Sequence, residues 1–205
     1  MTRLAIVINQ DRCIGCQTCA NACKMENNVP MGMLWNRVIT VGSDVIDGAV
    51  GTYPNLTREY LPMACQHCDN PACQAVCPVG ATYTDEAGRV LINYDICIGC
   101  RICMAACPYN ARVFNWEEPV RDPDFNYGHK DVPVRPRGVT EKCTLCKERT
   151  DEDREPMCVT CCPTKARSFG DLDNPSSAVS ALIREKSAYQ LLPERGTSPK
   201  TRYFK

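Results

Sequence analysis

The chain has 205 residues, with 24 lysines and arginines against 24 aspartates and glutamates, so its formal net charge is zero. That balance removes any electrostatic reason to expect nucleic acid or an anionic membrane as the main partner. Fifteen prolines, twelve glycines and only four phenylalanines describe a loop-rich chain whose thin apolar core needs staples, and 17 cysteines are the candidates.

Met1-Thr2-Arg3 leads straight into Leu4-Ala5-Ile6-Val7-Ile8, too short an apolar run for a secretory signal and far below the ~20 residues of a spanning helix. No export signal and no membrane span are therefore expected. A first cysteine motif follows, Cys13, Cys16, Cys19 and Cys23, spaced C-x2-C-x2-C-x3-C. A spacer over 24–64 carries little regular pattern. The second motif is Cys65, Cys68, Cys73 and Cys77, with four residues in its central gap. Alternation around Thr82–Thr84, a turn at Asp85-Glu86-Ala87-Gly88 and a strand over Arg89–Asn93 then predict a short hairpin.

The third motif, "CIGCRICMAACP", holds Cys97, Cys100, Cys103 and Cys107 in the same spacing as the first. The spacer 108–142 is rich in proline and charge. Lone solvated loops of such length are uncommon in a compact domain, so both spacers are expected to lie against a partner or wrap the metal sites. The fourth motif is Cys143, Cys146, Cys158 and Cys162, its central gap stretched to eleven residues. Asn174-Pro175 reads as the cap and first turn of a helix over about 176–186, and Leu191-Leu192-Pro193 as the start of an extended arm for a partner.

The spacing carries the chemistry. Disulfides are disfavoured by the odd cysteine count. A mononuclear zinc site made of two C-x2-C turns needs a long excursion between them, which immediate C-x2-C-x2-C succession does not give. A cubane presents several separate irons, so three successive thiolates can each cap one corner. The fourth cysteine, one residue later and followed by proline in three of the motifs, reaches a second cluster, as in two-cluster ferredoxins. Sixteen cysteines thus divide into four [4Fe–4S] clusters with Cys161 left over. Cys161 could replace Cys162 as a ligand, but the x3 spacing and Pro163 favour Cys162.

The hairpin between the second and third motifs has the layout of a bacterial two-cluster ferredoxin. An inner module over 58–115 is therefore expected. One cluster there takes Cys65, Cys68, Cys73 and Cys107 (cluster 3); the other takes Cys77, Cys97, Cys100 and Cys103 (cluster 4). The outer motifs then form a second module from 1–57 and 116–172. Cluster 1 takes Cys13, Cys16, Cys19 and Cys162, and cluster 2 takes Cys23, Cys143, Cys146 and Cys158. Pairing the first motif with the second, and the third with the fourth, is the alternative, and it leaves the hairpin unexplained. The expected fold class is α+β: two ferredoxin-like 2[4Fe–4S] modules related by pseudo-twofold symmetry, loop-rich, with residues 173–205 as a C-terminal helix and partner-binding arm.

Four such motifs in this order, with long spacers after the first and third, resemble the electron-transfer (beta) subunit of the dimethyl sulfoxide reductase family, the complex iron–sulfur molybdoenzymes. The likeness runs from residue 1 to about 172. It is strongest over "PACQAVCPVGATYTDEAGRVLINYDICIGCRICMAACPYNARVFNW", includes the spacer "ENNVPMGMLWNRVITVG", and returns in the tail "LLPERGTSPKTRYFK". The nitrate reductase branch has tryptophan at the second position of the third motif; Cys100 stands here, which argues for four cubanes. The resemblance implies a catalytic partner with a bis-molybdopterin molybdenum or tungsten site and, commonly, an integral-membrane quinone-binding subunit. It also implies that the outer clusters face the molybdenum subunit, with cluster 4 farthest away. It favours the periplasmic face of the cytoplasmic membrane, reached by co-export with a twin-arginine partner, over a cytoplasmic complex. A free-standing polyferredoxin, or an adaptor of a hydrogenase or formate lyase, is the alternative function. In either case the chain has no active site of its own and relays electrons.

Other residues carry weaker signals. Arg12, Lys24, Arg101, Lys142 and Lys147 sit beside ligands and could raise cluster potentials, Arg101 foremost. His67 and the aromatic residues Trp35, Tyr109 and Trp116 read as packing groups, and His129 as an exposed loop residue.

Overall fold

The structure is a computed structural model that describes residues 2–119, 125 and 127–205. Its elements are short. In chain order they are β1 (Leu4–Asn9), α1 (Thr18–Glu26), β2 (Arg37–Thr40), β3 (Val50–Thr52), β4 (Asn55–Thr57), β5 (Tyr60–Met63), α2 (Ala72–Ala75), β6 (Thr82–Thr84), β7 (Val90–Ile92) and α3 (Ile102–Ala105). Then come β8 (Val113–Phe114), β9 (Thr140–Glu141), α4 (Lys147–Thr150), α5 (Met157–Thr160), β10 (Arg167–Asp171), α6 (Ala178–Glu185) and β11 (Arg202–Phe204). No helix among the described residues is long and apolar enough to cross a membrane.

The apolar run at the start of the chain becomes the central strand of a three-stranded sheet. β1 pairs antiparallel with β10, Ile6 facing Phe169, and parallel with β11, Ile8 facing Tyr203. Its residues Ala5 to Ile8 are all buried, as a strand covered on both faces requires. The predicted hairpin forms as β6 and β7, with Thr82 opposite Ile92 and Gly88 at φ +73 closing the turn.

Three further pairings were not visible in the sequence, one of them the local hairpin of β3 and β4. β2 pairs with β5, and β8 with β9. Each joins a strand of one spacer to a strand next to the second or third cysteine motif. Side chains reinforce the seam. Arg37 donates to the carbonyls of Tyr109 and Asn110. Arg89, beside the inner hairpin, pairs with Asp85 and Asp151 and donates to Thr150 Oγ1. The spacers are thus ordered partly by their own chain. Arg135, 1% exposed, donates to Asn27 O and lies 4.4 Å above the Trp35 ring. The part of the second spacer at 120–124 and 126 lies outside the described residues.

The C-terminal segment corrects two expectations. The last helix begins at Ala178, capped by Ser177, whose Oγ accepts the Ser180 N–H. Asn174 caps the turn before it, accepting from Ser176 N. The expected extended arm does not project. Thr197, Lys200, Thr201, Tyr203 and Phe204 are buried against this chain, Lys200 N donates to Gln66 O, and the Tyr203 hydroxyl donates to Pro62 O. The physical reason is that β1 needs a second neighbour to satisfy its backbone groups, and β11 supplies it.

Candidate functional site

The first C-x2-C turn of each motif places a residue of positive φ immediately before its second cysteine: Gly15 (+71), His67 (+44), Gly99 (+66) and Leu145 (+58). That left-handed step curls the loop so that backbone N–H groups face the first sulfur. His67 N lies 3.5 Å from Cys65 Sγ, and Leu145 N 3.4 Å from Cys143 Sγ. Glycine is required in the first and third motifs for a further reason. A Cβ at Gly15 would meet the Tyr60 ring at 2.4 Å, and one at Gly99 would meet Gly138 O at 2.2 Å.

Two of the expected ligand sets line one concavity each. Cys77, Cys97, Cys100 and Cys103 share one, bordered by Ile92, Ile98 and Arg112. Cys23, Cys143, Cys146 and Cys158 share another, bordered by Trp35, Asn27 and Leu145. The Asn27 amide nitrogen lies 3.7 Å from both Cys23 Sγ and Cys146 Sγ, although 119 residues separate it from Cys146. Cys65, Cys68 and Cys107 pack together against Met63, Tyr109 and Ala111, and Cys73 acts on the Cys68 and Cys107 thiols. The remaining set is less closely drawn. Cys13 and Cys19 border one apolar cluster, and Arg167 links Cys19 to Cys162. Of the helices that follow the motifs, α1 packs on α5 and α2 on α3.

The donor chemistry fits iron–sulfur clusters. Burial pushes the Cys143 thiol up to about 12, with Cys158 and Cys65 adding repulsion, and raises Cys68 likewise to about 12. Cys23 rises for the same reason, with Cys143, Cys146 and Cys158 next in effect. Four thiolates cannot crowd into such a space without a cationic centre between them. The cysteines before Pro78 and Pro163 behave oppositely. Burial works against their ionisation, but the N–H groups of Thr82, Val79 and Ala81 hold Cys77 below the usual range, and those of Ala166, Thr164 and Arg167 do so for Cys162. Cys161, by contrast, turns its Sγ towards Thr18 O at 3.9 Å, and burial pushes it to about 11.

Residues 56–123 and 130–172 match the 4Fe-4S dicluster domain family, and residues 4–25 a 4Fe-4S binding domain. An iron–sulfur chain of Halobacterium salinarum, provisionally named for dimethyl sulfoxide reductase, is 55% identical over 210 residues, covering 100% of this chain and 79% of that one. This chain belongs to the 4Fe-4S dicluster family of iron–sulfur subunits. Other members include the arsenate respiratory reductase iron–sulfur subunit of Shewanella sp., 38% identical over 99% of this chain and 96% of its own length. The iron–sulfur cluster-binding subunit of menaquinone reductase from Nitratidesulfovibrio vulgaris is 38% identical over 97% and 87%. As a family member the chain carries multiple [4Fe–4S] clusters, and its 17 cysteines accommodate four.

The flagged cations divide by environment. Lys24 donates to the Pro30 and Met33 carbonyls, and burial lowers its pKa. Lys142 is 2% exposed and donates to Val90 O and Cys143 O, holding the fourth motif against the hairpin. Lys147 pairs with Asp151 at the surface. Arg101 is stacked 4.5 Å from Trp116 and 5.2 Å from Phe114, beside the concavity of Cys100. His67 is buried, its Nδ1 accepting the Val90 N–H, in keeping with a packing role. His129 is not exposed as expected: its imidazole is 8% accessible and lies 3.3 Å from Glu152. Sequence reasoning missed Arg112 and Arg167, both buried beside cysteines. Their signal was the repeated phrase C-P-x-x-A-R at 107–112 and 162–167.

Proposed function

We propose that the chain conducts electrons through four [4Fe–4S] clusters held by the sixteen cysteines grouped above, between a molybdopterin-containing catalytic subunit and a membrane quinone-binding subunit or other carrier. The observation that carries this reading is the crossing of motifs: Cys23 shares a cavity with three cysteines of the fourth motif, and Cys77 with three of the third. A thiolate exchanged in both directions is what brings two clusters within tunnelling reach. The pseudo-twofold arrangement of an inner module over 58–115 within an outer one over 1–57 and 116–172 follows from the same exchange. Support for the order of the wire comes from exposure. Cys16 and Cys100 are the two exposed cysteines, whereas all four of cluster 2 are buried. Clusters 1 and 4 then form the ends, with exposed Ile14 and Ile98 beside them as docking surface.

The chain's own residues fix the loops, exclude water and present N–H donors to sulfur; the clusters supply the redox chemistry. The catalytic partner and the periplasmic face of the membrane rest on the family resemblance and on the respiratory reductases among the relatives. Anaerobic purification from the native source tests the reading. Co-elution with a large molybdenum protein and about sixteen irons per chain are expected. A stable free monomer that exchanges electrons with soluble carriers would instead make it a polyferredoxin.

A further inference from the structure

The two halves carry the same phrase after their last cysteine: Cys107-Pro108-Tyr109-Asn110-Ala111-Arg112 and Cys162-Pro163-Thr164-Lys165-Ala166-Arg167. Both arginines are buried, at 3% and 4% exposure. Buried guanidinium groups are normally paired, because desolvating an unpaired charge is costly. Among the described residues, neither has a carboxylate within ion-pair reach. What they face is sulfur. Arg167 Nη2 donates to Asn36 Oδ1 at 3.0 Å and lies 3.4 Å from Cys19 Sγ. Arg112 Nη1 donates to Thr82 Oγ1 at 3.2 Å, while its Nε and Nη2 meet no acceptor although fully enclosed. Arg112 also borders the concavity of Cys77, Cys97, Cys100 and Cys103.

The cysteines around each arginine belong to two different ligand sets. Arg112 is influenced by Cys73 and Cys65 of one set and by Cys103 of the other. Arg167 is influenced by Cys158 of one set and by Cys19 and Cys162 of the other. Each half therefore places one permanent cation beside both of its groups of thiolates, and among the described residues the Arg112 Nε and Nη2 there have no partner.

We propose that Arg112 and Arg167 are the shared counter-ions of the two cluster pairs, each raising the potentials of both clusters in its half and so keeping neighbours close enough in potential for electrons to pass either way. This rests on the ligand sets proposed above. The step is a one-electron transfer: one cluster of a pair is oxidised as the other is reduced, and the negative charge moves from one to the other beside the guanidinium. No proton moves, because an arginine stays protonated throughout. A cation beside only one cluster would favour reduction there and trap the electron; one beside both favours both.

The test is a redox titration followed by electron paramagnetic resonance, on the anaerobically purified complex carrying Arg112→Gln, Arg112→Lys, Arg167→Gln or Arg167→Lys. Arg112→Gln should lower both inner-pair potentials, each by at least a tenfold change in the reduced-to-oxidised ratio, equivalent to 59 mV for one electron, with the outer pair unmoved. Arg167→Gln should do the reverse. The lysine variants, which keep the charge but lose the fork, should give smaller falls in the same pairs. Unchanged potentials at full iron content, or a fall confined to one cluster, would overturn the proposal. If a glutamine variant does not retain its iron, the lysine variant decides: a fall in both clusters of the pair supports the proposal and no fall sinks it. Failure of the ligand reading is a separate outcome, an iron content far from about sixteen in the unsubstituted protein.

Discussion

Cys161 and Cys162 are adjacent thiols of opposite fate, and replacing each by alanine tests the register of the fourth motif. Cys162 accepts the Ala166 N–H at 3.3 Å and its pKa lies below the ordinary 9.0. With its pKa at about 11, Cys161 ionises at neutral pH in only about one molecule in ten thousand. Cys162 is therefore the more readily ionised of the two. The thiolate is the ligand, so assembly should select Cys162. Cys162→Ala should lose one cluster, taking iron from about sixteen to about twelve per chain. Cys161→Ala should keep all four and lose only about 1 kcal/mol of stability. Iron and sulfide analysis with spin quantitation after dithionite reads the result. Retention of all clusters in Cys162→Ala, with loss in Cys161→Ala, would refute the reasoning.

Cys100→Ser should remove cluster 4 alone and block exchange with quinone or carrier while artificial donors still reduce the catalytic partner; disturbance of a second cluster would contradict the ligand sets. Gly99→Ala puts a Cβ 2.2 Å from Gly138 O at φ +66, whereas Gly80→Ala meets nothing within 4 Å at the same φ. Iron loss should therefore follow the first change only, the second costing about 1–2 kcal/mol in the unfolding midpoint. Deleting residues 196–205 removes fully buried Tyr203 and nearly buried Phe204, at about 3–5 kcal/mol for each aromatic. The truncated chain should fail to hold its clusters even when the partner is co-expressed, and a wild-type urea midpoint would refute the intramolecular role of the tail. Burial raises the Tyr203 hydroxyl to about 12. The folded state thus holds a proton that the unfolded chain releases near pH 10, and stability falls as pH rises from 10 to 12, by roughly 3 kcal/mol. Tyr203→Phe should flatten that decline in alkaline denaturation curves.

The cysteine motifs and the β6–β7 hairpin were legible because both are local: cysteine spacing and turn residues act over a few positions. The pairings of β2 with β5 and of β8 with β9 were not, since strands of two to four residues leave no periodicity to read. Arg112 and Arg167 resembled ordinary loop cations until burial distinguished them. The tail misled for a different reason. "GTSPKTRYF" is polar enough to look like an arm for a partner, and only the unpaired edge of Leu4–Asn9, invisible in the sequence, explains why it returns.

The sheet that opens the chain also sets a timetable. Its middle strand, Leu4–Asn9, is synthesised long before both flanking strands, Arg167–Asp171 and Arg202–Phe204. Synthesis proceeds at ~5–20 residues per second, so the N-terminal cysteines spend many seconds without their final shelter. Cluster delivery to these cysteines should therefore wait for, or be protected until, the synthesis of β10 and β11. The strand exchange at 37–40 with 60–63 and at 113–114 with 140–141 also predicts that the middle segment, cut out as a miniature ferredoxin, would lose a neighbour on each side.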